Sequence, residues 1–280
     1  MSMSRLFTRI SLLAVAACAA VYVVAVGTSW GHRLDAAAIP RGTSGPEWER
    51  AHAALRHAVD TIHVATIALA VCAAVLVALR RRRPDLAVVA LATIAGANLT
   101  THVLKPLLAH TDPFGGEGAR SIAAAFPSGH ATAAMSLALV AVIVAPRRWR
   151  GWVSLAAAGY AAAVGVGLIV RVDHFPSDVV GGFLVAAAWA ASTSAVALSH
   201  RQDERNVIVP PLPRPKRRTL VAWAALTAAA VALAAIVLRE PPAHLHRGLF
   251  AVAALVIASL ALLLPVGLSA VLARGRRYRA

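Results

Sequence analysis

Long apolar stretches separated by short polar or basic connectors constrain this chain more than any other feature. An α-helix of about 17–25 apolar residues crosses a bilayer, and about eight such stretches can be drawn along the sequence. Their approximate cores are 10–27, 58–79, 86–109, 129–145, 151–170, 179–198, 219–238 and 248–272. A mean hydropathy of +0.69 excludes an ordinary soluble domain. The sequence predicts an all-α fold, a multi-span transmembrane helix bundle.

The distribution of basic residues predicts the membrane topology. The formal net charge of +16 could by itself suggest a nucleic-acid partner. The Lys and Arg residues instead cluster in connectors, at 80–83, 147–150, 214–218 and 274–279. With a cytoplasmic N-terminus, 19 of the 28 basic residues fall on the cytoplasmic side, in agreement with the positive-inside rule. We therefore expect a multi-pass cell-membrane protein with both termini cytoplasmic and no nucleic-acid partner, and the oligomeric state stays open.

Composition divides the chain into four parts. Residues 1–57 hold the first membrane helix and a long outer loop, and residues 58–198 form a core. Residues 199–218 are rich in Pro and Arg, which is typical of an extended cytoplasmic linker. Residues 219–280 add two membrane helices and a basic tail. The expected architecture is a six-helix core with two C-terminal helices.

The first polar motif is Pro127-Ser128-Gly129-His130, at the start of an apolar stretch. Ser128 can cap a helix, and Gly129 allows a ligand to approach the backbone closely. The free N–H groups and the dipole at a helix N-terminus attract phosphate. His130, in the first turn, could then donate a proton to the ligand. The alternative is a plain capped helix with a histidine at the membrane interface.

The second polar motif is His174-Phe175-Pro176-Ser177-Asp178, and the predicted topology puts it on the same outer side as the first. Ser177 is expected to cap the span that begins near Val179. Asp178, four residues after His174, can hydrogen-bond one imidazole nitrogen and leave the other free as a nucleophile or base. The alternative is an acidic residue that is favoured in the first turn by the helix dipole.

Two cations lie near the outer ends of predicted spans. The chain has 26 arginines and only two lysines, so a lysine at position 105 departs from the chain's usual choice of a basic residue. Lys105 could neutralise a phosphate oxygen, or simply extend to the interface. Arg171 lies one turn before His174, and its guanidinium suits phosphate oxygens. Pairing with Asp173 is the structural alternative for Arg171.

These motifs resemble the signature of the type 2 phosphatidic acid phosphatase superfamily, the integral-membrane lipid phosphate phosphatases. That signature has three parts: Lys-x6-Arg-Pro, Pro-Ser-Gly-His and Ser-Arg-x5-His-x3-Asp. Residues 127–130 match the second part completely. His174 and Asp178 match the end of the third part, and Lys105 and Pro113 match the two ends of the first.

The resemblance covers roughly residues 58–198, and it is incomplete at two arginine positions. Asp112 stands where the first part has its arginine, and Gly167-Leu168 replaces the Ser-Arg pair of the third. Arg171 lies three residues further on, about 4.5 Å along a helix. We expect Arg171 to replace the missing arginine, and altered or reduced activity to follow from Asp112.

The resemblance implies a phosphoryl transfer in two steps that needs no metal and no cofactor. His174 would attack phosphorus to give a phosphohistidine, with Asp178 orienting it. His130 would protonate the leaving group and then activate water. The phosphate would be held by two cations and by backbone N–H groups, at Lys105, Arg171, Ser128 and Gly129.

The resemblance also implies the substrate class. A lipid phosphate, such as an isoprenyl pyrophosphate, phosphatidate or phosphatidylglycerol phosphate, would enter at the outer membrane face while its tails stay in the bilayer. Two alternatives remain open: a lipid phosphotransferase that shares the phosphohistidine, and a non-catalytic membrane protein that binds phospholipid.

Overall fold

The computed structural model describes residues 3–40, 46–108, 126–202 and 242–274. Every regular element in these ranges is a helix, and no strand occurs in them. In chain order the helices are α1 (Met3–Val21, continued by a π-helical turn Tyr22–Val26), α2 (Ser29–Ala37), α3 (Pro46–Asp60), α4 (Val64–Arg80), α5 (Pro84–Leu108), α6 (Gly129–Val144), α7 (Arg150–Val170), α8 (Pro176–Gln202) and α9 (Pro242–Arg274). The predicted all-α bundle is confirmed.

Five of the described helical segments are long and apolar enough to cross a membrane. They are Met3–Val26, Pro84–Leu108, Arg150–Val170, Pro176–Ser199 and Gly248–Ala273. The pair α3 and α4 would add a sixth if it forms one span, and α6 is apolar but shorter. The predicted stretch 219–238 lies outside the described residues. Of the predicted linker 199–218, only the beginning is described, and there α8 continues to Gln202.

The N-terminal quarter differs from the prediction. The expected outer loop at 28–57 contains two helices, α2 and most of α3. The expected span 58–79 is bent by 67° between α3 and α4. The bend follows from capping, because the His63 side chain and Thr66 form a capping box that starts a new helix. Alone, the 17 residues of α4 extend about 26 Å, slightly less than a hydrocarbon core.

Helix α6 lies at the centre of the bundle, in contact with α5, α7 and α8. It is apolar on all sides, as expected for a helix surrounded by other helices, and 12 of its 16 residues are buried. Small side chains let its neighbours approach closely. This central position fixes the N-terminus of α6, where the first polar motif lies.

Hydroxyl pairs connect the helices inside the bundle. Thr101 of α5 and Thr132 of α6 are 3.0 Å apart between their Oγ1 atoms, close to the first motif. Thr93 of α5 and Thr193 of α8 are 2.8 Å apart in the same way. Hydroxyl groups in an apolar environment need partners, so these pairs set the register of the three helices.

Arg150 holds the opposite end of α6. Its side chain is buried, and it donates to the carbonyls of Val142 and Ala145, each at 3.1 Å. These carbonyls belong to the C-terminal turn, where a helix leaves carbonyl groups without intrahelical partners and favours positive charge. Both ends of the central helix are therefore fixed by polar contacts.

Candidate active site

The first motif forms the N-terminus of α6, as predicted. Ser128 is the N-cap, and its Oγ accepts the N–H of Ala131 at 3.3 Å. The backbone N–H groups of Gly129 and His130 belong to the first turn, where an α-helix provides no partner for them. The Ser128 N–H is used differently, because it donates to the carbonyl of Asp178 at 2.9 Å. An anion at this helix start would therefore meet the N–H groups that follow Ser128.

The hydrogen bond between Ser128 and Asp178 joins the two motifs directly. The bond can form because Gly182, one turn after Asp178, has no side chain and lets α8 pack closely against the start of α6. A Cβ on Gly182 would lie 2.7 Å from the Ser128 carbonyl oxygen and 3.0 Å from the Thr132 nitrogen. The neighbouring Gly181 leaves similar room for the ring of Phe126. The two glycines are site-forming residues that the sequence prediction missed.

Gly182→Ala is expected to lower activity by about 10- to 100-fold, because displacing reacting groups by about 1 Å can cost 10²-fold. The added methyl group forces the start of α6 away from α8 and stretches the bond between Ser128 and Asp178. Phosphate release and thermal stability of the purified variant measure the effect.

Gly159→Ala is the matched control, since a Cβ on this glycine of α7 meets nothing within 4 Å. It should leave the activity unchanged. Equal activity of both variants would show that the close approach at Gly182 does not matter for the site.

The chain reverses direction between α7 and α8 through a strained turn. The N–H of Asp173 donates to the carbonyl of Leu168 at 3.1 Å, and that of Val172 donates to the carbonyl of Ile169 at 3.0 Å. This is the pattern of a Schellman cap, which needs a left-handed residue. Val172 fills that position with a φ of 61°, which is costly for a β-branched residue. The turn brings His174 back toward the bundle.

The second motif has its expected contact. His174 Nδ1 lies 3.3 Å from Oδ2 of Asp178, and both side chains are buried. The same oxygen accepts the N–H of Phe175 at 3.0 Å. A carboxylate can only accept, so in the neutral form of His174 this contact favours the tautomer with the proton on Nδ1 and the lone pair on Nε2.

The expected cap at Ser177 is wrong. Helix α8 begins at Pro176, a residue that fits the first helical position because it has no N–H to satisfy. Ser177 therefore lies inside the first turn rather than before it. Asp178, as the third helical residue, bonds back to the N–H of Phe175 in the manner of half a capping box.

Lys105 lies beside the start of α6. It occupies the last turn of α5, and its Nζ is 4.0 Å from the place that a Cβ on Gly129 would take. A side chain at position 129 would point toward this ammonium group. The absence of one leaves the space between Lys105 and the helix N-terminus open to an anion.

His130 is exposed, in contrast to the buried His174. Its imidazole lies within electrostatic range of His174, Lys105, Arg171 and Asp173. The fold therefore brings the predicted site residues to one end of the bundle. Asp112 and Pro113 lie outside the described residues.

Arg171 is engaged in ion pairs. Its Nε is 2.7 Å from Oδ2 of Asp173, and its Nη1 contacts Oδ1 of Asp60 at the end of α3. The pairing with Asp173 is the structural alternative that the sequence left open, and the partner Asp60 was not expected. A negative charge at a helix C-terminus is unfavourable, so Asp60 gains from the guanidinium.

The packing of α3 explains why residues 167 and 168 depart from the family signature. A Cβ on Gly167 would lie 2.6 Å from the backbone oxygen of Leu55 and 2.8 Å from the side chain of Val59. Leu168 is fully buried. Helix α3 thus leaves no room for a serine at position 167, and the buried position 168 gives an arginine no access to solvent.

Asp60→Asn tests the two interpretations of Arg171. If Arg171 binds phosphate, removal of one competing charge should tighten inhibition by orthovanadate several-fold, whereas thermal stability should change little, since exposed ion pairs contribute about 0–1 kcal/mol. Glu49→Gln, on the exposed part of the same helix, is the control. An unchanged inhibition constant would mean that Arg171 only ties α3 to α7.

One further residue of the site escaped sequence reasoning altogether. Asp35 of α2 accepts the N–H of Ser177 at 3.1 Å and also the Ser177 hydroxyl. Burial raises the pKa of Asp35 to about 7, and the nearby charge of Asp178 adds to the effect. No motif marked Asp35, because it lies far from the second motif in the chain.

The fold and the site together define a helical membrane protein with a buried histidine–carboxylate pair beside the N-terminus of a helix. Residues 86–202 match the family model of the PAP2 superfamily, which supports the resemblance that the motifs predicted. The match runs from the first turn of α5 to the end of α8 and includes all the predicted site residues. Searches among characterised proteins and among solved structures gave no match. Members of the superfamily are generally phosphatases that act on phosphate esters.

Proposed function

We propose that this protein is a lipid phosphate phosphatase that works through a phosphohistidine on His174. The main support is the contact between the two motifs, since Asp178 binds His174 through its side chain and Ser128 through its carbonyl. One residue thereby links the candidate nucleophile to the helix N-terminus that would hold the phosphate.

In the first step, Nε2 of His174 attacks the phosphorus in line. The bond between Nε2 and phosphorus forms while the bond between phosphorus and the ester oxygen breaks. His130 gives its proton to the leaving alkoxide, and Asp178 stabilises the positive imidazole of His174. Lys105 and the first N–H groups of α6 bind the phosphate oxygens as their charge shifts.

In the second step, His130 takes a proton from a water molecule, which attacks the phosphorus from the side opposite His174. The bond to Nε2 breaks, inorganic phosphate leaves, and both histidines return to their starting states. An exposed His130 suits this role, because water must reach it. A buried His174 suits a nucleophile that has to be kept from other reactions.

The surroundings of Lys105 support a lipid substrate. Leu107, two residues later, is 72% exposed, and Val103 on the same helix is 48% exposed. Exposed apolar side chains beside a candidate phosphate ligand are expected where a bilayer borders the site. A lipid could bring its phosphate to Lys105 from the side while its tails remain among the acyl chains.

The direct test is phosphate release by the purified protein in detergent, with isoprenyl pyrophosphates, phosphatidate and phosphatidylglycerol phosphate as substrates. Each assay is run with and without EDTA. Quenching during turnover with labelled substrate should trap a phosphoprotein that is labile to acid and stable to alkali, as expected for phosphohistidine. Release from none of these lipids would overturn the proposal.

Two other outcomes would redirect the assignment. Transfer of the phosphate to an added alcohol, in excess over release to water, would indicate a phosphotransferase with the same intermediate. Binding of lipid phosphate without release or transfer would indicate a non-catalytic protein, and the pairing of Arg171 with two carboxylates is the observation that favours this outcome.

A further inference from the structure

Asp35 acts on the second motif from outside the segment that matches the family. Its Oδ1 accepts the N–H of Ser177 at 3.1 Å, and its Oδ2 accepts the Ser177 hydroxyl. That N–H lies in the first turn of α8, which has no intrahelical acceptor for it. Asp35 of α2 therefore caps the N-terminus of α8, the helix that contains Asp178.

The position of α2 is well defined. A Cβ on Gly31 would lie 2.0 Å from the backbone oxygen of Val24, so α2 is packed closely onto the end of α1. Ala38, just after α2, and Leu249 of α9 are both buried in one small apolar cluster. The end of α1 and helix α9 together hold α2, and with it Asp35, in place.

A second contact of α2 supports this arrangement. The ring of His32, one turn before Asp35, meets the ring of Phe175 edge-on, with 5.5 Å between the centroids. Phe175 and Ser177 lie between His174 and Asp178. One face of α2 therefore contacts two residues of the segment that joins the candidate nucleophile to its carboxylate.

The surroundings of Asp35 favour its neutral form. Burial and the charge of Asp178 raise the pKa of Asp35 to about 7, whereas the hydrogen bonds from Ser177 oppose the shift. Near neutral pH a substantial fraction of Asp35 is protonated and can still accept the N–H of Ser177. Asp35 can therefore hold the N–H of Ser177 in either protonation state.

We propose that Asp35 is a positioning residue, which holds the first turn of α8 so that Asp178 keeps His174 in a single tautomer and orientation. It touches neither the phosphate nor the reacting atoms. The consequence for turnover rests on the proposed function, whereas the consequence for the state of His174 does not.

The test compares Asp35→Ala and Asp35→Asn with the wild type in two measurements. Nitrogen-15 NMR of labelled histidines in detergent micelles reports the tautomer of His174, whose signal is assigned by its loss in His174→Ala. We expect a single tautomer in the wild type and in Asp35→Asn, and a mixture in Asp35→Ala. In the phosphatase assay we expect kcat to fall about 10-fold in Asp35→Ala with KM nearly unchanged, and by no more than about 3-fold in Asp35→Asn.

The controls separate the possible failures. Arg33→Ala, an exposed neighbour on α2, should leave both measurements unchanged. If Asp35→Ala does not fold, Ser177→Ala removes only the hydroxyl contact and should still broaden the His174 signal. An unchanged His174 signal in Asp35→Ala, or in Ser177→Ala as its substitute, would overturn the positioning role. A wild type that releases no phosphate would instead overturn the proposed function, and the NMR result would still decide the role of Asp35.

Discussion

His174→Ala is expected to abolish phosphate release, with a fall in kcat of more than about 10³-fold, as for the loss of other covalent nucleophiles. His174 pairs through Nδ1 with a buried carboxylate, which leaves its Nε2 for the attack on phosphorus. The trapped phosphoprotein should disappear together with turnover. Both quantities are measured with the labelled lipid phosphate that the wild type hydrolyses fastest.

Loss of the ring also leaves Asp178 with one partner fewer. Removing a hydrogen-bond partner from a buried group costs about 1–3 kcal/mol, so the variant should be less stable but still folded. His102→Ala provides the matched control, because His102 is an exposed histidine on α5. Full activity of His174→Ala, with a phosphoprotein still formed, would show that another residue is the nucleophile.

The second large effect is expected at Asp178, where substitution by asparagine should lower kcat less than substitution by alanine. Its Oδ2 accepts both His174 Nδ1 and the N–H of Phe175. Asparagine can place its carbonyl oxygen at that point and keep both bonds, but it lacks the charge that stabilises a positive imidazole. We expect a fall of about 10- to 100-fold in kcat for Asp178→Asn. For Asp178→Ala, which loses the tautomer control as well, we expect about 10³- to 10⁴-fold.

The comparison of the two variants is itself the control for misfolding. The backbone carbonyl of Asp178, which accepts the N–H of Ser128, remains in both. Both should therefore keep the contact between the motifs and unfold at similar temperatures. Equal losses in the two variants would mean that the charge matters and the tautomer does not, and wild-type activity in Asp178→Ala would exclude a role for the carboxylate.

Much of the fold could be predicted because apolar stretches and helix caps are local properties of the sequence. The start of α6 at Ser128 and the pairing of His174 with Asp178 depend on residues three or four positions apart. The prediction was wrong where two local signals competed, because the sequence does not show whether an apolar stretch or a helix cap within it prevails. A stretch predicted as one span was broken at His63, where a local cap starts α4 anew.

The neighbours of the site could not be predicted in the same way. Asp35 of α2 and Asp60 of α3 are ordinary polar residues, and no spacing relates them to the motifs that they contact. Gly182 could have been suspected as a close-approach residue, but its partner, the Ser128 carbonyl, follows only from the packing of α8 on α6. Such contacts join residues from distant parts of the chain, so a local pattern does not contain them.

By itself, the sequence predicted an all-helical membrane protein and the two histidines and the carboxylate that are proposed to carry its chemistry. Hydrophobic length and motif chemistry are both properties of short segments, and a bilayer makes the first of them decisive. Only the tertiary structure decided which residues surround the candidate catalytic residues. Arg171 is bound to carboxylates because α3 packs beside it, and Ser177 is held by Asp35 because α2 is fixed on α9. Charge balance and orientation in the site depend on which helices meet, and that depends on the packing of the whole bundle.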